Sequence, residues 1–131
     1  MFGTLIGVGI FFPNKITAYK VAAPHVLNPL ESLTDTPDEA SIKEAINFIS
    51  DNMGLKRTEM YQTLVCESNL KYNAVGDSGL AYGVAQFHKG TFDSFCKGDY
   101  YSTKDQLICM ANMWKENLQF HWSCWKNYFA S

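Results

Sequence analysis

A chain of 131 residues holds one ordinary domain with a real hydrophobic core, and is too short for two. Apolar residues at 47% and charged residues at 18% give a globular balance, which excludes the polar, highly charged class that stays disordered. Eleven Lys and Arg against thirteen Asp and Glu give a formal charge of -2 with no basic run to track a phosphate backbone, so nucleic acid is not an expected partner.

Residues 1–12 are almost wholly apolar but fall short of the roughly twenty needed to cross a bilayer as a helix, so no stable membrane span is expected. Two readings stand. The stretch resembles the hydrophobic part of a secretory signal, with Thr17, Ala18, Ala22 and Ala23 nearby, although no Lys or Arg precedes it. Alternatively it is an arm, rich in Gly3, Gly7 and Gly9, that packs on the domain or on a neighbouring chain. Residues 13–35 carry Pro13, Pro24 and Pro29 with little periodicity and read as an extended lead. The chain thus divides into an arm, 1–35, and a folded domain, 36–131. A monomer is expected, with the arm available to contact another chain.

The first helix starts at Thr36-Pro37-Asp38-Glu39: a capping Thr, a Pro at the first helical position and a Glu three residues on. Ile42, Ala45, Ile46, Ile49 and Met53 follow at helical spacing, and Gly54 supplies a left-handed stop. A second helix is expected over 58–68, burying Met60, Leu64 and Val65. From 69 to 87 the helical period vanishes and Gly76, Gly79 and Gly83 break the run, which predicts a small β-hairpin. A short helix follows over 91–96. Ser102 caps a longer one lined by Leu107, Ile108, Ala111 and Trp114, and 121–130 forms the last. The fold class is therefore α+β, predominantly α-helical.

Four cysteines allow three pairings in an oxidising compartment. The preferred bridge is Cys96 to Cys124, both in the C-terminal half, with Cys66 and Cys109 paired or buried in amphipathic helices. There is no CxxC pair, and His25, His88 and His121 are scattered, so zinc-ligand spacing is absent and neither metal nor cofactor is expected. Of Trp114, Trp122 and Trp125, at least two are expected to fill the core.

Glu67 is oddly placed for a structural residue. It falls in the last turn of its helix, where a carboxylate meets the negative end of the helix dipole. Around it run Glu67-Ser68, Asn73-Ala74, Gly79-Leu80-Ala81-Tyr82-Gly83-Val84-Ala85-Gln86-Phe87 and Thr91-Phe92. This order resembles the lytic transglycosylase and goose-type lysozyme branch of the lysozyme superfamily, over 67–92 in motif and most of 40–130 in helix order. Two departures stand out. The usual Gly-Leu-Met-Gln is Gly83-Val84-Ala85-Gln86, and the downstream Ala-Tyr-Asn-Ala-Gly motif is absent.

The resemblance implies a lysozyme-like domain, with a hairpin beside an active-site cleft, acting on peptidoglycan glycan strands in a secreted, periplasmic or cell-wall setting. It implies Glu67 as the acid, with Ser68, Gly79, Tyr82, Gly83, Gln86 and Tyr128 binding substrate or shaping the cleft. Asp77 is the candidate second carboxylate if cleavage is hydrolytic, and its other reading is an ordinary Asp-Gly-region turn residue. A single Glu suffices for a lytic transglycosylase. A non-catalytic glycan-binding module is the rival from another class.

Overall fold

The computed structural model describes residues 27–130, so the expectations for 1–12 and most of the arm fall outside the described residues. Leu30 is buried in the core and Leu33 packs against it, so packing begins ahead of residue 36.

Helix α1 spans Glu39–Met53. Its cap is Asp38 and not Thr36: the Asp38 carboxylate accepts from the Ser41 N–H at 2.8 Å. Asp offers a charged acceptor to the first free amides, and Pro37 tucks into the structure just before it. That bond holds the Asp38 carboxyl below its ordinary range. A depressed carboxyl stabilises the fold above its unfolded pKa and loses that contribution as pH falls through its folded one. Asp38→Ala is therefore expected to lower the urea midpoint at neutral pH, with the deficit against wild type shrinking in acid.

Ile42, Ala45, Ile46 and Ile49 form the buried face of α1, with Met53 packed against the core's edge. Gly54 ends the helix at φ 68, and Lys115 Nζ donates to the Met53 carbonyl at 2.8 Å, placing a cation at the negative end of the dipole.

Helix α2, Arg57–Ser68, buries Met60 and Leu64, with Val65 at the margin, and stops where Asn69 turns left-handed at φ 55. The glycine-broken region folds as three short antiparallel strands: β1, Val75–Gly76; β2, Ala81–Tyr82; and β3, Phe87–His88. Their order is β1-β2-β3, with Val75 opposite Tyr82 and Ala81 opposite His88. Helices α3, Lys89–Phe95, α4, Thr103–Lys115, and α5, Ser123–Phe129, complete the body. Ser102 caps α4 by accepting from the Asp105 N–H. The architecture is α+β and mainly helical, with α1 against α2 and α4, and α5 against α2. Trp114 and Trp122 are buried core residues. No described helix is long and apolar enough to cross a membrane.

The disulfides differ from the expected pairing. Cys96 does not join Cys124; the bridges are Cys66–Cys124 and Cys96–Cys109. Packing of α5 on α2 brings the Cα atoms of Cys66 and Cys124 to 6.0 Å, and packing of α3 on α4 brings those of Cys96 and Cys109 to 5.3 Å, both within disulfide reach.

Candidate active site

Glu67, in the last turn of α2, is half-buried on the wall of a cleft of about 500 Å³. Opposite elements contribute Asp77 and Gln86 from the sheet region, His88 from β3, and Trp122, Ser123 and Lys126 from the C-terminal segment. Glu67 Oε2 accepts the Cys124 N–H at 3.2 Å. Burial pushes the Glu67 carboxyl above its usual range, and the Cys124 N–H opposes part of that rise by favouring the carboxylate. The outcome is a carboxyl that keeps its proton to higher pH than an exposed Glu, which is the state a general acid needs.

Asp77 lines the same cleft, and His88 Nε2 lies 2.7 Å from Asp77 Oδ2. Asp77 and Ser78 both sit at positive φ, 53 and 57, in the tight turn between β1 and β2. The carboxylate thus meets a neighbour from β3, and its backbone adopts an uncommon left-handed conformation.

Gln86 organises the cleft's inner wall. It is itself left-handed, at φ 52, and its Nε2 donates to the Ala74 carbonyl at 3.0 Å and the Gly83 carbonyl at 2.9 Å. The Ala74 carbonyl also receives the Gly83 N–H, so the Asn73-Ala74 step of the motif anchors the loop that carries Gln86. Any β-carbon at Gly76 would collide with the Gln86 amide oxygen. Gln86, expected at the cleft, lines it, held there by its bonds to backbone carbonyls.

Other motif residues are placed differently. Gly83, at φ 88, is buried, and a side chain there would run into Gln106; its requirement is interior packing and not approach to a ligand. Ser68 is buried with its hydroxyl donating to the Leu64 carbonyl, and it does not line the cleft of Glu67. Gly79 and Tyr82 lie in an adjoining groove that shares Ala81 and His88 with the cleft and is walled by Tyr100 and Tyr101. Tyr128 lines a different groove, with Tyr61, Gln62, Val65 and Cys66, because α5 turns it away from Glu67's side. Thr91 borders a recess with Gln86, His88 and Trp122.

Two contributions escape the sequence reading. The first is Gln106, fully buried in α4: its Oε1 accepts the Ala85 N–H at 3.0 Å, and its Nε2 donates to the carbonyls of Tyr82 and Tyr100 at 3.0 and 2.8 Å. A signal existed, since Gln106 sits one turn before Met110 on the apolar stripe of its helix. The second is the C-terminal wall. Trp122 reaches it by donating Nε1 to the Ala85 carbonyl at 2.9 Å, a contact between residues distant in sequence.

Among the described residues, no group of three or more His, Cys, Asp or Glu gathers closely enough to hold a metal ion. The chemistry available is that of a carboxyl whose pKa burial raises, an Asp–His pair, an amide and a lysine around one polar cavity. No protein-family model, curated protein or solved structure matches the chain.

Proposed function

We propose that this chain is a lytic transglycosylase with a lysozyme-like domain, cleaving the β-1,4 bond between N-acetylmuramic acid and N-acetylglucosamine in peptidoglycan. The observation that carries the reading is Glu67: a half-buried carboxyl, raised in pKa, on a polar cleft whose inner wall is set by Gln86. Glu67 gives its proton to the leaving glycosidic oxygen as the bond to the muramyl C1 breaks. The resulting carboxylate takes the proton of the muramyl 6-hydroxyl as that oxygen bonds to C1. The product ends in a 1,6-anhydro ring, and Glu67 is protonated again for the next turnover. No second carboxylate, metal or cofactor enters this scheme.

A hydrolytic muramidase is the second reading, favoured by Asp77 lying in the same cleft as Glu67. There Asp77 would activate a water, as two-carboxylate glycosidases do. The single-Glu route is preferred because it asks nothing of Asp77, whose carboxylate already meets His88. The two disulfides support a setting outside the cytoplasm, secreted, periplasmic or wall-associated, where the polymer lies.

The mass of muropeptides released from purified cell walls tests all of this. An anhydro end, lighter by one water than a reducing end, is expected, and Asp77→Asn is expected to keep at least about half the wild-type rate. Reducing ends together with an inactive Asp77→Asn would establish the muramidase instead. Binding to walls without any released product would leave a non-catalytic glycan-binding module.

A further inference from the structure

We infer that the Cys66–Cys124 disulfide is a redox-addressable clasp that positions the catalytic Glu67, a role the Cys96–Cys109 bridge does not share. The inference rests on the acid role proposed for Glu67. Cys66 immediately precedes Glu67 in α2, and Cys124 supplies the N–H that meets Glu67 Oε2. The bridge therefore joins the neighbour of the acid to the residue that hydrogen-bonds it. The carboxyl and its donor are held in one ring, covalent through the bridge, the backbone and the Glu67 side chain and closed by a single hydrogen bond.

The clasp is the covalent one among the anchors of this helix: Trp125 packs on the core against Trp114, and Trp122, just ahead of the helix, is buried. Helix α5 is seven residues long, and its one buried residue is Cys124 itself. Trp125 adds a bond from its Nε1 to Glu59 Oε1 at 3.1 Å. So short a helix does not persist without tertiary anchors. With the bridge open, α5 loosens, the Cys124 N–H leaves Glu67, and water reaches the carboxyl more freely from the side that Ser123 and Lys126 line. The titratable groups facing Glu67 across the cleft are Asp77 and His88 from the sheet region, with His121 and Lys126 from the C-terminal segment.

The two bridges also differ in access. Cys66 is exposed and lines an open groove of about 340 Å³ with Tyr61, Gln62, Val65 and Tyr128. Its partner Cys124 is buried; in the other bridge Cys109 is buried and Cys96 half-buried, so neither end is open to solvent as Cys66 is. A dithiol reductant entering that groove can attack Cys66 Sγ as a thiolate. The Sγ–Sγ bond breaks, Cys124 leaves as a thiolate and takes up a proton, and the second thiol of the reductant displaces Cys66. Two electrons pass to the protein, which gains two thiols, and the reductant becomes a disulfide.

The test uses the full chain carrying Cys96→Ser and Cys109→Ser, in which only the clasp can be reduced. It is equilibrated across dithiothreitol redox buffers and read three ways: thiols by alkylation and mass, the Glu67 carboxyl carbon by NMR titration, and cleavage of purified walls. Reduction is expected to move the Glu67 midpoint down toward the ordinary Glu range, because lost burial outweighs the lost N–H. Cleavage is expected to fall at least about tenfold, as for other misplaced catalytic groups, and reoxidation should restore both. If that variant does not fold, the same readings are taken on wild type under limited reductant, with the opened bridge located by peptide mapping. An unchanged midpoint and rate with both clasp thiols alkylated would overturn the inference. So would loss of all helicity at the same potential, since the bridge would then hold the fold and not the acid. A midpoint that moves in a protein whose oxidised form releases no product would leave the clasp standing and remove the proposed function.

Discussion

Glu67→Gln is expected to reduce release of muropeptides from purified walls by about 10³-fold, within the range a general acid contributes. The amide keeps the shape and can still face the Cys124 N–H through its oxygen, but it has no proton to give to the leaving oxygen. The same substitution is expected to raise the thermal midpoint at neutral pH. A carboxyl whose folded pKa lies above its unfolded one favours folding at low pH, and that contribution is lost as pH rises through the folded value. At pH 7 the ionised Glu67 is thus a burden on the fold that Gln removes. For wild type, cleavage is expected to decline on the alkaline side as Glu67 loses its proton. That decline should begin above the pH at which an exposed Glu would already be ionised. Turbidity assays and a melting curve on one preparation check both halves. Clearing by Glu67→Gln at the wild-type rate would remove Glu67 from the chemistry.

Gln106→Leu is expected to cost about 3 kcal/mol of stability, the range for stranding several buried polar groups at once. The replacement fills nearly the same volume, so little cavity arises. What it lacks is a partner for the Ala85 N–H and the carbonyls of Tyr82 and Tyr100. Because Ala85 precedes Gln86 and Tyr82 precedes Gly83, the loosened segment is the one that shapes the cleft. Urea denaturation gives the stability change, and a loss under about 1 kcal/mol would show that these backbone groups find other partners.

What the sequence revealed and what it hid divide along one physical line. Local rules placed α1, whose stripe of Ile42, Ala45, Ile46 and Ile49 needs only helical periodicity, and its end at Gly54. They also placed the Ser102 cap and the break into short strands around Gly76, Gly79 and Gly83. The Thr36 cap was displaced to Asp38 because two good capping residues lie close together, and the choice between them depends on how Pro37 packs. Gln86 was legible in the spacing of its motif, though its work of tying Ala74 to Gly83 was not. Pairings that depend on one helix finding another had no local signature. Cys66 meets Cys124 only because α5 folds back on α2, and Asp77 meets His88 only through the registers that set Gly76 opposite Ala81 and Ala81 opposite His88. Tyr128 is a stand-in for the tyrosine of the absent Ala-Tyr-Asn-Ala-Gly motif, but the turn of α5 sets it in another groove.

The two bridges are nested: the 13-residue separation of Cys96 and Cys109 lies wholly within the 58-residue separation of Cys66 and Cys124. Everything from the end of α2 to the start of α5, including the three strands and Gln106, therefore lies inside one covalent loop. A protease that cuts the exposed turn at Leu80 produces two chain segments but not two molecules. Both walls of the cleft remain tethered, with their core contacts intact, after the backbone between them has been severed.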